Sequence, residues 1–260
     1  MSEGRLRVER DGAVGWLVLD NPARLNALNA AMWAAIPPAV AALPAHGTGR
    51  RIVLRGAGEK AFSVGADISE FAAKRDSPAQ VAAYEATNSA AYRALATVPK
   101  PVIAQIQGHC VGGGLAIALA CDLRYADETG RFAIPAARLG LGYGAEGTRR
   151  LVATVGPAAA REILFSARRY DAPQALALGL LNGLQPAAAL AGLGRDPAGA
   201  LAGPAPLTIA AAKAVIAALA DGEADLAAAE AAVARCMTSA DYAEGRRAFM
   251  EKRAPRFTGR

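Results

Sequence analysis

At 260 residues the chain has the length of one large domain, or of a core with a small appendage, and either buries a substantial apolar interior. Hydrophobic residues make up 53% of it, yet charges, prolines and glycines interrupt every Ala-rich stretch, so no run approaches the roughly 20 apolar residues of a spanning helix. The net charge of +6 rests largely on Arg246, Arg247, Lys252, Arg253, Arg256 and Arg260 at the C-terminus, and the three cysteines form no CxxC pair, which argues against a disulfide framework or a zinc site.

The first residues, MSEGRLRVERDG, lack both the apolar core of a secretory signal and the acid-poor character of a transit peptide, so the expected location is cytoplasmic. Residues 5 to 19 predict a β-hairpin, with Asp11-Gly12 as its turn. A helix is predicted from about Asn29 and is expected to break at Pro37-Pro38, because proline lacks the N–H and clashes with the preceding turn. Short apolar runs of strand length follow at Ile52 to Arg55, Ala61 to Val64, Val102 to Gln107, Leu123 to Ala126 and Arg131 to Ile134, alternating with helical stretches. That alternation predicts an α/β layered architecture. A helix is expected from Thr148 to Val155, and the Ala/Gly/Pro-rich stretch from Pro186 to Pro206 reads as a hinge. Beyond it come three Ala-rich helices at 205 to 220, 222 to 238 and 240 to 252. The expected division is a core over residues 1–195 and a helical region over 196–260.

Two turns point to chemistry. In Lys60-Ala-Phe-Ser-Val-Gly65-Ala66-Asp67 a β-like run ends where glycine permits a sharp bend, aiming a backbone N–H into a cleft. In Pro101 to Leu115 a strand passes through Gly112-Gly113-Gly114 into an apolar helix, whose N-terminus offers unpaired amides and a positive dipole end, suited to a developing oxyanion. Each turn alone also reads as a tight structural turn; together they can make a two-donor hole. Gly142-Tyr-Gly144-Ala-Glu-Gly147 spells GxGxxG, but the preceding strand ends several residues too early for a dinucleotide fingerprint. Nucleic-acid binding would rest on the basic tail alone.

The ordered set Asn21 to Leu28, Phe62 to Asp67, Pro101 to Gly114, Ala120 to Leu123, Gly147 to Leu151, Ala175 to Leu181 and Phe249 to Arg253 resembles the crotonase, or enoyl-CoA hydratase/isomerase, family over essentially the whole chain. The resemblance implies an α/β fold built as a spiral of ββα units, followed by a C-terminal α-helical trimerisation region, and hence a homotrimer or a dimer of trimers. It implies an acyl-CoA thioester as the small-molecule partner, with no nucleic acid or membrane partner. It places the oxyanion amides on Ala66 and Gly113. Arg24 and Lys252 become contacts to the coenzyme A phosphates, with Asp67, Ile68 and Phe249 along the same ligand. No metal or redox cofactor is implied, since fixed dipoles stabilise the enolate.

The chain departs from that pattern at the acid/base positions. Hydratases of this family hold a water between two glutamates, and the corresponding residues here are Ala116 and Ala136. Neither methyl group moves a proton, which puts hydration, and isomerisation through the second position, in doubt. The loop Leu139 to Gly147 offers Tyr143 and Glu146 instead. Tyr143 matches a tyrosine of methylmalonyl-CoA decarboxylases, whose loop also reads Leu-Gly-x-x-Tyr, although those enzymes carry histidine where Ala66 stands. It serves either as an orienting group or as a wall of the pocket. Glu146 serves either as a base or as a helix cap. Three functions stay open: a family enzyme acting through a thioester enolate, a malonyl-type acyl-CoA decarboxylase using Tyr143, and a non-catalytic acyl-CoA-binding protein. Among the other polar residues, Asp67 is expected to brace its own turn, Glu70 to start a helix, Asp122 to accept from backbone amides, His109 to be structural and His46 to lie exposed.

Overall fold

A computed structural model describes residues 4–43, 50–71, 76–192, 203–220 and 225–260. Strands β1 (Arg5–Asp11) and β2 (Val14–Asp20) form the expected hairpin, with Gly12 in the left-handed region at φ 56° where the turn requires it. Four parallel pairings extend this hairpin into a six-stranded sheet in the order β1-β2-β3-β5-β7-β10, where β3 is Arg51–Gly56, β5 Val102–Ile106, β7 Leu123–Ala126 and β10 Gly183–Leu184. A second sheet of four strands runs β4-β6-β8-β9, from Ala61–Ser63, His109–Val111, Arg131–Ala133 and Tyr170–Asp171. Successive strands leave one sheet and enter the other, so that β3 with β4, β5 with β6 and β7 with β8 are three turns of one repeating unit.

The period of two in a strand explains how the larger sheet is buried on both faces. Leu17 and Leu19 of β2 point into the main core with Ile52, Leu54, Val102 and Ala104, whereas Val14, Trp16 and Val18 join Val53 and Ile103 on the opposite side. The expected helix begins where Asn29 accepts a hydrogen bond from the Met32 amide at 2.8 Å, but α1 (Ala30–Ala42) does not break. It carries Pro37 and Pro38 inside. An interior proline costs about 3 kcal/mol, and burial of Met32, Trp33, Ile36 and Val40, each at most 4% exposed, offsets it at roughly 1.5–3 kcal/mol per side chain.

Among the described residues up to 192, α1 is followed by α2 (Pro78–Thr97), α3 (Gly113–Leu119), α4 (Ala145–Ser166), α5 (Ala172–Ala177) and α6 (Ala187–Gly192). Helix α4 starts three residues before the expected Thr148 and kinks at Gly156, whose φ is 76° and which precedes Pro157. Helices α7 (Pro206–Ala220), α8 (Leu226–Met237) and α9 (Ala240–Met250) form the C-terminal group close to the expected positions. The expected boundary at residues 195 and 196, the centre of the expected hinge, and His46 all lie outside the described residues.

A half-buried polar contact fastens α7 to the sheet. Lys213 Nζ donates to the carbonyls of Leu95 and Lys100 at 3.0 and 2.9 Å and to Asp122 Oδ2 at 2.8 Å, while Asp122 also accepts from the Val102 amide at 2.7 Å. Asp122 thus accepts from a backbone amide, as expected, and from a lysine 91 residues away. Burial raises the Asp122 carboxyl above the ordinary carboxylate range and lowers the Lys213 ammonium, in both cases against the attraction between the two. Replacing Lys213 by methionine leaves that carboxylate buried without its counter-ion. The expected loss is roughly 3 kcal/mol, read as a lower urea midpoint at unchanged slope.

Candidate active site

The loop from Asn21 to Leu28 is the floor on which the first turn sits. Leu25 and Asn26 take left-handed backbone, and the Asn26 side chain is buried, donating to the carbonyls of Ala57 and Ala61 at 3.0 and 2.7 Å. Ser63, at the end of β4, donates from Oγ to Asn26 O and accepts from the Gly65 amide at 3.1 Å. Val64 donates to Leu25 O and Asp67 to Leu28 O, while Gly65 O accepts from Leu28 N. Every amide from Val64 to Asp67 is therefore engaged among the described residues except that of Ala66. The second turn leaves the same pattern. Gly112 N donates to Ala133 O, Ala116 N donates to Gly112 O, and the Gly113 amide, first in α3, has no acceptor among the described residues.

The two turns approach through bare backbone. A Cβ placed on Gly65, whose φ is 94°, would lie 2.8 Å from Gly113 N, and one on Gly113 would lie 3.5 Å from Ala66 N. Gly114 is equally constrained, since its Cβ would meet Ser63 O at 2.3 Å. Both free amides line one cavity of about 460 Å³. Its walls include Trp33 of α1, the face of α2 that carries Glu85, Asn88, Ser89 and Tyr92, and the loop ending in α4. Trp33 packs edge-on against Tyr92 with ring centroids 5.6 Å apart, which fixes the indole beside Gly113.

Ala136 lies on the cavity wall, in the 3-10 turn Pro135–Leu139, and Ala116 is buried within α3 at 2% exposure. Tyr143 does reach the cavity. Its hydroxyl is buried without a hydrogen-bond partner among the described residues, as are Asn88 Oδ1 and Trp33 Nε1. Burial, with the nearby Cys110 thiol adding to it, pushes the Tyr143 hydroxyl up and keeps it protonated. Gly147 makes room for the ring, since a Cβ there would sit 2.9 Å from Tyr143 Cε1.

Glu146 also lines the cavity, in the first turn of α4, where a carboxylate suits the helix dipole. It makes no capping hydrogen bond. Instead it pairs with Arg149 at 3.0 Å and Arg150 at 2.7 Å, one turn further along the helix. Burial alone would raise its pKa, but the hydrogen bonds and charges of the two arginines prevail and hold it below the ordinary carboxylate range. A carboxylate so held is a weak base. The second carboxylate on the cavity is Glu85, which sequence reading missed: a Cβ on Gly144 would lie 3.7 Å from its Oε1. Glu85, Asn88, Ser89 and Tyr92 fall at i, i+3, i+4 and i+7, the signal that puts them on one face of α2.

The remaining sequence-derived residues divide into two groups. Ile68 lines the cavity and is 62% exposed. Next to it, Arg24 donates to Asp67 Oδ2 and Ser69 Oγ, both at 2.6 Å, and Asp67 accepts from the Ser69 amide, bracing its own turn. Burial of Asp67 is outweighed by these bonds from Ser69 and Arg24, so its carboxyl titrates below the usual range. Glu70 accepts from the Ala30 amide at the start of α1. Phe249 lies elsewhere, 82% exposed, on a separate cavity of about 970 Å³ among α7, α8 and α9; Lys252 is exposed on the turn that follows. His109 pairs in β6 and is absent from the cavity wall. Cys110 and Cys121 are buried and Cys236 half-buried; burial raises the first well above its usual value and the second to about 12. Among the described residues, no group of His, Cys, Asp and Glu could hold a metal, and no helix is long and apolar enough to cross a membrane.

Residues 9–260 match the family model described as enoyl-CoA hydratase/isomerase. The short-chain-enoyl-CoA hydratase of Clostridium acetobutylicum is 32% identical over 95% of this chain and 94% of its own length. The crotonyl-CoA hydratase of Syntrophomonas wolfei is 30% identical over 99% of each. Among solved structures, an enoyl-CoA hydratase/carnithine racemase from Magnetospirillum magneticum superposes with a TM-score of 0.92 at 37% identity, covering 100% of this chain and 97% of that one. An enoyl-CoA hydratase/isomerase family protein from Hyphomonas neptunium gives 0.91 at 38% identity over 98% of both.

Proposed function

The chain belongs to the enoyl-CoA hydratase/isomerase family, and from that premise we propose that it activates acyl-CoA thioesters by holding the carbonyl oxygen between the amides of Ala66 and Gly113. The observation that carries this reading is that these two amides, in turns whose neighbouring amides are engaged or enter a helix, have no acceptor among the described residues, and that Ala66 and Gly113 meet on the wall of one cavity. Two fixed N–H donors stabilise an enolate more than the neutral carbonyl, because the negative charge develops on the oxygen they face. They cost no reorganisation as the charge develops. The ligand enters past Ile68 and the Arg24–Asp67 pair, which gives Arg24 a phosphate to meet. Phe249 and Lys252 are not on the wall of this cavity in their own chain, so in this reading they reach the ligand from a neighbouring copy. The exposed Met237, Phe249 and Met250 of the C-terminal helices support such an assembly, as a trimer or a dimer of trimers.

The buried, unpartnered hydroxyl of Tyr143 favours a second reading, decarboxylation of a malonyl-type thioester. In that reaction the C–C bond to the carboxylate breaks, its electron pair becomes the enolate held by the amides, and carbon dioxide departs while Tyr143 orients the leaving group. A panel of acyl-CoA thioesters, scored by mass spectrometry for product and by melting temperature for binding, decides among the readings. Turnover of an enolisable thioester is the expected result. Carbon dioxide release that Tyr143→Phe slows would establish the second reading, and a raised melting temperature without product from any thioester would leave a binding protein.

A further inference from the structure

Proton transfer on an acyl thioester requires a group that can accept a proton and give it back, within reach of the carbon beside the carbonyl. The positions Ala116 and Ala136 hold methyl groups. Of the two carboxylates on the cavity wall, Glu146 is committed to Arg149 and Arg150. Glu85 has no ion pair and no hydrogen bond among the described residues, and its Oε1 lies 3.7 Å from where a Cβ on Gly144 would stand, on the wall of the same cavity. Its helix supports it. Ser77 and Gln80 form a reciprocal cap at the start of α2, and Tyr84, Tyr92 and Leu95 anchor the helix in the core, so the exposed Glu85 is held on a fixed scaffold. Asn88, one turn further along the same face, lines the same cavity and carries a buried Oδ1 with no hydrogen-bond partner among the described residues.

We propose that Glu85 is the acid/base of this site, a role for α2 that rests on the thioester reading above. Its carboxylate takes a proton from C2 of a 3-enoyl thioester. The electron pair of that C–H bond moves into the conjugated enolate, whose oxygen lies between the amides of Ala66 and Gly113. The protonated Glu85 then returns the proton at C4, which leaves the 2-enoyl thioester and regenerates the carboxylate. Atoms and electrons balance without water, oxidant or cofactor. One carboxylate suffices for this 1,3-shift, whereas adding water across the double bond needs a second group to place and deprotonate the water.

The experiment uses the full-length protein and 3-butenoyl-CoA in D2O. Deuterium entering C2 is followed by mass spectrometry and formation of 2-butenoyl-CoA by its conjugated absorbance. The wild type is expected to exchange and isomerise. Glu85→Gln is expected to lose about 10²–10⁴-fold in both rates, with KM within about threefold and an unchanged melting temperature, because the side chain is exposed and unpaired. Glu85→Asp, which keeps a carboxylate, is expected to retain part of the rate. If Glu85→Gln exchanges and isomerises as fast as the wild type, or if the wild type binds 3-butenoyl-CoA and neither exchanges nor isomerises it, the assignment is overturned while the thioester reading stands. If the wild type neither binds nor exchanges, the thioester reading falls, and Glu85 with it.

Discussion

Purified protein is expected to hydrate crotonyl-CoA about 10⁴-fold more slowly than a family member that carries both glutamates. A positioned acid or base is worth about 10²–10⁴ in rate, and hydration relies on two acting on one water. Ala136 faces the cavity where such a group would stand, and Ala116 is sealed in α3, so neither supplies a proton or a hydrogen bond to water. Tyr143 does not replace them as a base, because burial holds its hydroxyl protonated. Glu146 does not, because its arginines favour the ionised form and weaken its basicity. Loss of the conjugated thioester absorbance measures the rate directly. Turnover within tenfold of a two-glutamate hydratase would show that another pair of groups delivers the water and would remove the objection to hydration.

The second large effect is expected from one backbone atom. Gly113 is the first residue of α3, the position where proline is tolerated because the N–H it lacks has no helical partner. Gly113→Pro therefore deletes a hole donor while leaving the hydrogen bonds of the helix in place. Removing one such donor costs about 10²–10³ in kcat, and C2 exchange of 3-butenoyl-CoA is expected to slow by that factor with the melting temperature little changed. A side chain at this position also approaches Trp33, whose Cζ2 would be 3.3 Å from the new Cβ. Gly113→Ala adds that carbon and keeps the N–H, so the difference between the two variants isolates the donor. Equal rates in both would mean that the amide does not contact the developing charge.

Much of the fold could be read from the chain because its signals are local. The hairpin turn at Gly12, the apolar runs of β3, β5 and β7, and the Ala-rich C-terminal helices each carry their own pattern. What escaped depends on tertiary contact. The prolines of α1 are locally helix-breaking, and only the burial of Trp33 and its neighbours overrides them. The two-residue strands β9 and β10 exist solely through pairing. In the site, the glycines at 65 and 112 to 114 marked both turns. Glu85 was invisible as a wall residue, since an exposed glutamate in an Ala-rich helix reads as a solvated face until another element closes over it. The pairing of Glu146 with residues three and four places ahead, by contrast, was available from spacing alone.

The two donors at Ala66 and Gly113 are main-chain atoms, and this bears on how such a protein can diverge. A codon for glutamate becomes one for alanine by a single base change, so an acid or a base is lost or regained in one mutational step. At Gly113 no single base change erases the amide hydrogen, and at Ala66 only the change to proline does. Short of proline at the donor itself, or a side chain forced onto Gly65 or Gly114, substitution around the cavity leaves both donors where they are. The part of the site proposed to hold the thioester is thus mutationally robust, and the part that would choose the reaction is free to drift across its walls.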